Sequence, residues 1–176
     1  MMSIKGKTKI NIDVDDADEL KIGIVQSRWN HKITDQLAAE CKKALMDLSI
    51  PEDNIYHKLV PGSFELPLGA QFLENAIQPD AIICLGCVIK GETDHDVFIN
   101  QGITNAIMSL NMRYGKPFIF GVLTVNNEDQ AIERANGSKE NKGKEAAEAA
   151  LEMITLEQKL KKETKKTIGF KPFNKV

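Results

Sequence analysis

A single histidine follows a strongly apolar segment in a setting that suits proton transfer. His95 ends the segment Val88–His95, in which a glycine and several polar residues come directly after a predicted buried strand. An imidazole changes its charge near neutral pH, so it can donate and accept protons at a reacting centre. The alternative is that His95 only begins the next helix. The other histidines, His31 and His57, do not lie in such a loop at the end of a strand.

The only tryptophan of the chain, Trp29, lies in the polar segment Ser27–His31, which also follows a predicted strand. An indole ring offers a flat face for stacking and one hydrogen-bond donor. The sequence is compatible with a wall for a ring-shaped ligand and equally with a half-buried tryptophan at the start of a helix. The residues alone leave both interpretations open.

The segment Val60–Glu65 combines a Pro-Gly turn with the start of a predicted helix. Backbone N–H groups near Ser63 are expected to point into a cleft, because the first turn of a helix leaves its amides without partners. Three alternatives are purely structural. Ser63 could cap the helix, Phe64 could belong to the core, and Glu65 could be a solvated acid favoured by the helix dipole.

A stretch between two predicted helices, Arg134–Gly143, contains Arg134, Lys139 and Lys142 together with two glycines. Such a cluster suits an anionic ligand, since arginine can bind a phosphate through two N–H groups. The alternative is a solvated loop. The sequence contains no P-loop, no dinucleotide-binding glycine motif after a strand, no nucleophile elbow and no histidines at metal-binding spacing.

Alternating strands and helices must position these segments. Apolar runs predict strands at 21–26, 55–60, 80–86 and 118–123, and apolar residues at helical spacing predict helices over 33–48, 65–76, 96–112, 128–135 and 144–162. This alternation predicts an α/β fold, with a parallel sheet between layers of helices and ligands beyond the carboxyl ends of the strands. Ile10–Val14 is predicted as a separate edge strand.

Composition and charge are those of an ordinary globular chain. Its 176 residues are 42% hydrophobic and 27% charged, which excludes a disordered or collagen-like protein. No apolar run reaches the ~20 residues of a membrane helix, and no secretory signal is visible, so a cytoplasmic protein is expected. Residues 157–176 contain seven Lys and two Glu, which we interpret as a solvated helix end and tail rather than a nucleic-acid-binding module.

The chain has three cysteines, and so low and odd a number argues against a disulfide framework. Cys84 and Cys87 have the C-x-x-C spacing of a redox or metal pair. However, side chains three positions apart on a strand point to opposite faces, and no second Cys/His pair completes a zinc site. We therefore expect buried, unreactive thiols.

The order and spacing of five segments resemble the lumazine synthases over about residues 20–155: Val60–Glu65, Gly91–His95, Phe120–Thr124, Gln130–Ala135 and Asn141–Gly143. The resemblance implies a flavodoxin-like, three-layer αβα sandwich around a four-stranded parallel sheet. It implies condensation of 5-amino-6-(D-ribitylamino)uracil with 3,4-dihydroxy-2-butanone 4-phosphate, without a metal or an organic cofactor. The expected organisation is an N-terminal extension at 1–19, the family domain at 20–156 and the basic end at 157–176.

The resemblance also implies a role for individual residues around the aminouracil. Trp29 matches the ring that stacks on the pyrimidine, a position at which the family more often has Phe. Glu65 matches an acceptor for the ribityl hydroxyls. The remaining matches on this side are the segment that binds the aminouracil and the stretch whose backbone reads the pyrimidine edge: Ser63, Phe64, Cys87, Val88 and Ile89.

A second group of matches concerns proton transfer and the phosphate substrate. His95 matches the general acid/base. Phe120 matches a second ring contact and Arg134 the phosphate clamp, and in the family both come from the neighbouring subunit. The other positions near the phosphate are Glu92, Thr93 and Lys142.

Two alternatives remain open from the sequence. A riboflavin-binding or storage relative is compatible with Trp29, which stacks better on a tricyclic ring than Phe. The second alternative is a structural shell protein whose basic tail recruits a partner. His95 and Arg134 favour the enzyme, because a binding module needs no proton carrier. The resemblance further implies small-molecule substrates, no nucleic-acid or membrane partner, and a pentamer. The short connection over 134–142 favours closure into a sixty-subunit icosahedral shell.

Overall fold

The computed structural model describes residues 14–137 and 140–167. Within these ranges, strands and helices alternate in the predicted order: β1 (Ile22–Ser27), α1 (His31–Asp47), β2 (Ile55–Val60), α2 (Leu66–Ile77), β3 (Ala81–Ile89), α3 (His95–Tyr114), β4 (Phe118–Val125), α4 (Glu128–Ala135) and α5 (Lys142–Thr167). Short 3₁₀ turns at Glu52–Asn54 and Ser63–Glu65 precede β2 and α2. The predicted edge strand Ile10–Val14 lies outside the described residues, which begin at its last position.

The four strands form one parallel sheet in the order β2-β1-β3-β4. Helices α1, α4 and α5 cover one face, and α2 and α3 cover the other. All six residues of β1 and all but the last of β3 are buried, as expected of strands covered on both faces. The predicted α/β sandwich with a four-stranded parallel sheet is confirmed. Of the helices in the described ranges, none combines the length and apolarity of a membrane span.

The C-x-x-C pair lies in β3, where successive side chains alternate between the two faces. Cys84 packs with the residues under α2 and α3, whereas Cys87 packs with the residues under α1, α4 and α5. Burial raises the pKa of each thiol to about 12. The prediction that Cys84 and Cys87 are buried on opposite faces of the sheet is confirmed.

One predicted boundary matters for the site. The apolar run at 80–86 predicts a strand that ends at Gly86. That boundary is wrong by three residues, because Cys87–Ile89 continue the ladder and pair with Leu123–Val125 of β4. The sheet therefore extends further on its β3–β4 side than at β1.

The start of α5 is fixed against α1 by two contacts. Gly143 lies so close to α1 that a Cβ atom there would be 2.3 Å from the carbonyl oxygen of Leu37. The Nδ2 atom of Asn141 donates to Oε2 of Glu40 at 2.6 Å, and its Oδ1 accepts from the backbone N–H of Lys144 at 2.9 Å. The first residues of α5 therefore have a defined position relative to the sheet.

Candidate active site

A cavity of about 630 Å³ opens where β1, β2 and β3 end and α3 begins. This is the end of a parallel sheet at which α/β proteins bind ligands. Nine predicted site residues line it: Trp29, Ser63, Phe64, Glu65, Cys87, Val88, Ile89, Thr93 and His95. The structure thus brings together residues from the segments that follow three different strands.

Three aromatic side chains form exposed walls of this cavity. Trp29 is 67% exposed, Phe64 is 61% exposed and Phe98 is 71% exposed, so none of them belongs to the core. The backbone N–H groups of Arg28 and Trp29 donate to the carbonyls of Val60 and Pro61 at 2.9 and 3.2 Å, which continues the β1–β2 pairing into the loops. The indole therefore has a fixed backbone beneath it and a free ring face, which suits stacking on a planar ligand.

In the structure, Glu65 rather than Ser63 closes the turn before α2. The carboxylate of Glu65 accepts from the backbone N–H of Gly62 at 2.9 Å and so closes the turn before α2. Ser63 is 5% exposed, and its Oγ has no hydrogen-bond partner within the described structure. This Oγ is closed off from solvent and packs against Gly86, where a Cβ atom would lie 2.6 Å from it, so the missing hydrogen bond is a cost of close packing in the turn.

Asn30 also lines the cavity, and sequence reasoning missed it. Its backbone is left-handed, with φ at 57°, a conformation that asparagine tolerates better than most residues. Its Nδ2 atom donates to the carbonyl oxygen of Cys87 at 3.0 Å. An asparagine directly before a predicted helix was a usable signal, but its partner lies 57 positions away.

The end of β3 presents backbone groups towards the cavity. The N–H groups of Ile82 and Lys90 both donate towards β4, to Pro117 and Val125. Since the backbone groups of successive residues point to alternate neighbouring strands, those of Cys87 and Ile89 point towards the β1 side. Pairing with β1 stops at Leu85, so this part of the edge lies beyond the end of β1.

His95 is the first residue of α3, and its side chain is exposed at the cavity. The preceding turn brings Gly91 and Thr93 to the cavity wall. Glu92 lies between them in the sequence, is exposed, and is not among the residues that line the cavity. The imidazole can therefore reach a ligand in the cavity, whereas the geometry gives Glu92 no contact there.

The other three predicted site residues lie elsewhere. Phe120, Arg134 and Lys142 line a second cavity of about 470 Å³, bounded by the edge strand β4, the end of α4 and the start of α5. No residue lines both cavities. Within one chain, the structure divides the predicted site into two separate groups of residues.

Two acids accompany the two cations of the second cavity. The Nζ atom of Lys142 lies 3.1 Å from Oε2 of Glu140 and 2.9 Å from Oε2 of Glu145. The Nε atom of Arg134 lies 3.8 Å from the same Glu140 oxygen. Partial burial alone would lower the pKa of Lys142, but its hydrogen bonds and charge interactions with Glu145 and Glu140 outweigh that, so the pKa lies above its ordinary value.

A parallel α/β sandwich with an aromatic cavity at the strand ends defines a class of small-molecule-binding proteins. Backbone groups and one imidazole converge on that cavity. In the described ranges, no three His, Cys, Asp or Glu side chains gather as a metal site would require. The aromatic walls suit a planar ligand, and the imidazole suits proton transfer.

Comparison with known proteins identifies the family within this class. Residues 19–158 match the sequence model of 6,7-dimethyl-8-ribityllumazine synthase. The synthase of that name from Cytophaga hutchinsonii is 48% identical over 132 residues, covering 75% of this chain and 83% of its own. The one from Campylobacter fetus is 38% identical over 161 residues, covering 92% and 99%. The chain belongs to the 6,7-dimethyl-8-ribityllumazine synthase family.

The contact between Gly86 and Ser63 makes a first prediction. A Cβ atom at Gly86 would lie 2.6 Å from Oγ of Ser63 and 2.9 Å from Cδ1 of Leu66. Gly86→Ala should displace the Ser63 turn and lower the free energy of unfolding by about 1–3 kcal/mol. Urea unfolding at fixed protein concentration measures this. Gly91→Ala is the control, because nothing lies within 4 Å of a Cβ there. Equal midpoints for the two variants would contradict the prediction.

Proposed function

We propose that the protein condenses 5-amino-6-(D-ribitylamino)uracil with 3,4-dihydroxy-2-butanone 4-phosphate. The products are 6,7-dimethyl-8-ribityllumazine, phosphate and water. The observation that carries this proposal is the cavity at the strand ends, in which nine residues of the family pattern converge in a chain that belongs to the family. The protein is then a transferase of riboflavin biosynthesis.

The first cavity binds the aminouracil. Trp29 stacks on the pyrimidine, with Phe64 on the wall beside it, and the exposed ring faces support this arrangement. Within the stretch Cys87–Ile89, the backbone groups of Cys87 and Ile89 read the pyrimidine edge, because they point away from β4, whereas Val88 between them faces β4. The turn at Ser63 offers backbone N–H groups to the ligand. Glu65 accepts from ribityl hydroxyls with the oxygen that Gly62 leaves available.

His95 moves protons during the reaction. An amine attacks the ketone to give an imine and water, phosphate leaves, and the second amine closes the ring. Each of these steps transfers a proton, and an exposed imidazole on the cavity wall can donate and accept it. No step requires a metal or an organic cofactor.

The second cavity binds the butanone phosphate. Arg134 and Lys142 supply the charges for the phosphate group, and Phe120 supplies a ring contact. Thr93 and Glu92 approach this substrate from the first cavity. Glu92 needs a change of the exposed turn to do so, since it does not line the cavity in the free chain.

The complete site forms between two subunits, because the two cavities of one chain share no residue. Exposed apolar side chains on α2 and α3 support such an interface: Leu68, Phe72, Phe98, Met108 and Met112. Helix α3 has only Asp96 and Arg113 as acidic or basic residues along its 20 positions, and interface centres are likewise poor in charge.

The assembly is a pentamer, and pentamers close into a sixty-subunit shell. Only positions 136–141 separate α4 from α5 in the sequence, and this short connection supports the shell. The family domain covers 20–156, and α5 continues through position 157 into the basic end. The protein acts in the cytoplasm on small molecules. The riboflavin-binding alternative has no support from the relatives, which are named as synthases.

The direct test is to incubate both substrates with the purified protein and to follow lumazine absorbance. Because the reaction also proceeds slowly unaided, the rate without protein is the baseline. A rate no higher than this baseline would overturn the proposed function. Binding of riboflavin without turnover would instead favour the storage relative.

His95→Ala should lower kcat, since a positioned acid/base contributes roughly 10²–10⁴ in rate, with the low end expected for a reaction that can occur unaided. The KM for the aminouracil should stay nearly constant, because the rings and the β3 edge remain. Quenching of the single tryptophan by the aminouracil checks binding independently. If the kcat of His95→Ala equalled that of the wild-type protein throughout pH 6–8, His95 would have no part in the mechanism.

Arg134→Ala should raise the KM for the butanone phosphate at least about tenfold, because charge-assisted hydrogen bonds contribute about 1.5–3 kcal/mol each. Arg134→Lys should restore binding only in part. A rise in the aminouracil KM alone would contradict the assignment. Refolding Arg134→Ala subunits together with His95→Ala subunits tests the shared site. Random mixing leaves about one quarter of the interfaces with both residues, so activity should return.

Sedimentation velocity tests the assembly. The shell predicts particles of megadalton size at neutral pH in phosphate buffer. Pentamer-sized particles alone would contradict the shell while leaving the site between subunits intact. A monomer that retains full activity would contradict both the shell and the shared site.

A further inference from the structure

The cationic cavity already contains an internal anion. Oε2 of Glu140 lies 3.1 Å from Nζ of Lys142 and 3.8 Å from Nε of Arg134. One carboxylate oxygen therefore lies near both cations at once. Among the described residues that line the cavity, Arg134 and Lys142 are matched in number by Glu140 and Glu145, so the group carries no net charge.

The two acids do not occupy equivalent positions. Glu145 contacts Lys142 from within the first turn of α5, at 2.9 Å. Glu140 lies outside that helix, in the connection from α4, and its carboxylate lies near both cations. Its side chain is 43% exposed, against 26% for Glu145, so it can leave its place more readily.

We propose that Glu140 is a specificity-determining residue that occupies the phosphate position in the free protein and yields it only to a dianionic phosphate ester. This inference rests on the proposed function, which gives the cavity a phosphate substrate. A tethered carboxylate is present at a high effective concentration, so a free monoanion with the same contacts cannot displace it. A phosphate monoester carries about two negative charges at neutral pH and offers three acceptor oxygens. It therefore binds the two cations more strongly than the carboxylate does and replaces it.

Removing the charge should therefore improve phosphate binding. Glu140→Gln should lower the KM for the butanone phosphate, and the dissociation constant of inorganic phosphate measured by calorimetry, by roughly three- to fivefold, the size of a partly exposed ion pair. Glu145→Gln should have a smaller effect, because it leaves in place the carboxylate of Glu140, which lies near both cations. Glu148→Gln is the matched control: it removes the same charge from α5 at a residue that pairs with Lys144 and does not line the cavity.

A second experiment asks whether the position itself is occupied. Glu140→Ala leaves room for a free carboxylate, so acetate should inhibit this variant competitively against the butanone phosphate. The same concentration of acetate should leave the wild-type protein unaffected. Acetate thus serves as a separate probe for the place of the missing side chain.

The outcomes separate this inference from the proposed function. If Glu140→Gln and Glu145→Gln changed phosphate binding equally, the effect of Glu140 would be that of any nearby negative charge, and the inference would be overturned. Acetate inhibition that does not differ between Glu140→Ala and the wild-type protein would overturn it as well. Each of these results is compatible with a working synthase. A wild-type protein that forms no lumazine would instead overturn the proposed function, and the calorimetric comparison with inorganic phosphate would still decide the role of Glu140.

Discussion

The first cavity depends on one unequal length in the sheet. Pairing between β1 and β3 ends at Gln26 and Leu85, whereas β3 continues beside β4 as far as Ile89. The pairing with β4 keeps this extension in strand geometry, so its other edge stays ordered without a neighbouring strand. Asn30 then supplies a side-chain amide to the carbonyl of Cys87, at a place where a longer β1 would have supplied a backbone amide. A ligand can use the edge that remains.

Periodicity is sufficient to place the helices and strands of the described residues in their order. The buried strands β1 and β3 match their apolar pattern, whereas β2 is largely uncovered, with Leu59 57% exposed. Periodicity fails where a residue serves a distant contact. Gly86 indicated the end of β3, but its missing Cβ makes room for Ser63 in the adjacent turn. Glu65 rather than Ser63 closes that turn. Asn30 contributes to the cavity through its hydrogen bond to a backbone carbonyl 57 positions away, and no local sequence pattern can reveal such a partner.

The rule that ligands bind beyond the strand ends predicts the first cavity and does not predict the second. Arg134 and Lys142 come from the connection between α4 and α5, and the contact of Gly143 with α1 fixes where that connection begins α5. Sequence spacing can show that these cations are near one another. It cannot show at which edge of the sheet they lie, because that depends on how α5 packs on α1. Only the family resemblance suggested that they belong to a neighbour's site.

The separation of the two cavities also constrains the symmetry of the proposed assembly. A site built from the first cavity of one chain and the second cavity of another needs both surfaces at each interface. A twofold dimer meets this need only when one self-complementary patch contains both cavities of a chain, because each cavity must then face the other chain's partner cavity. A heterologous contact makes no such demand, and it repeats until it closes into a ring or extends into a filament. In a ring, each chain meets one neighbour with its first cavity and the other neighbour with its second, so every Trp29 cavity has one partner with Arg134.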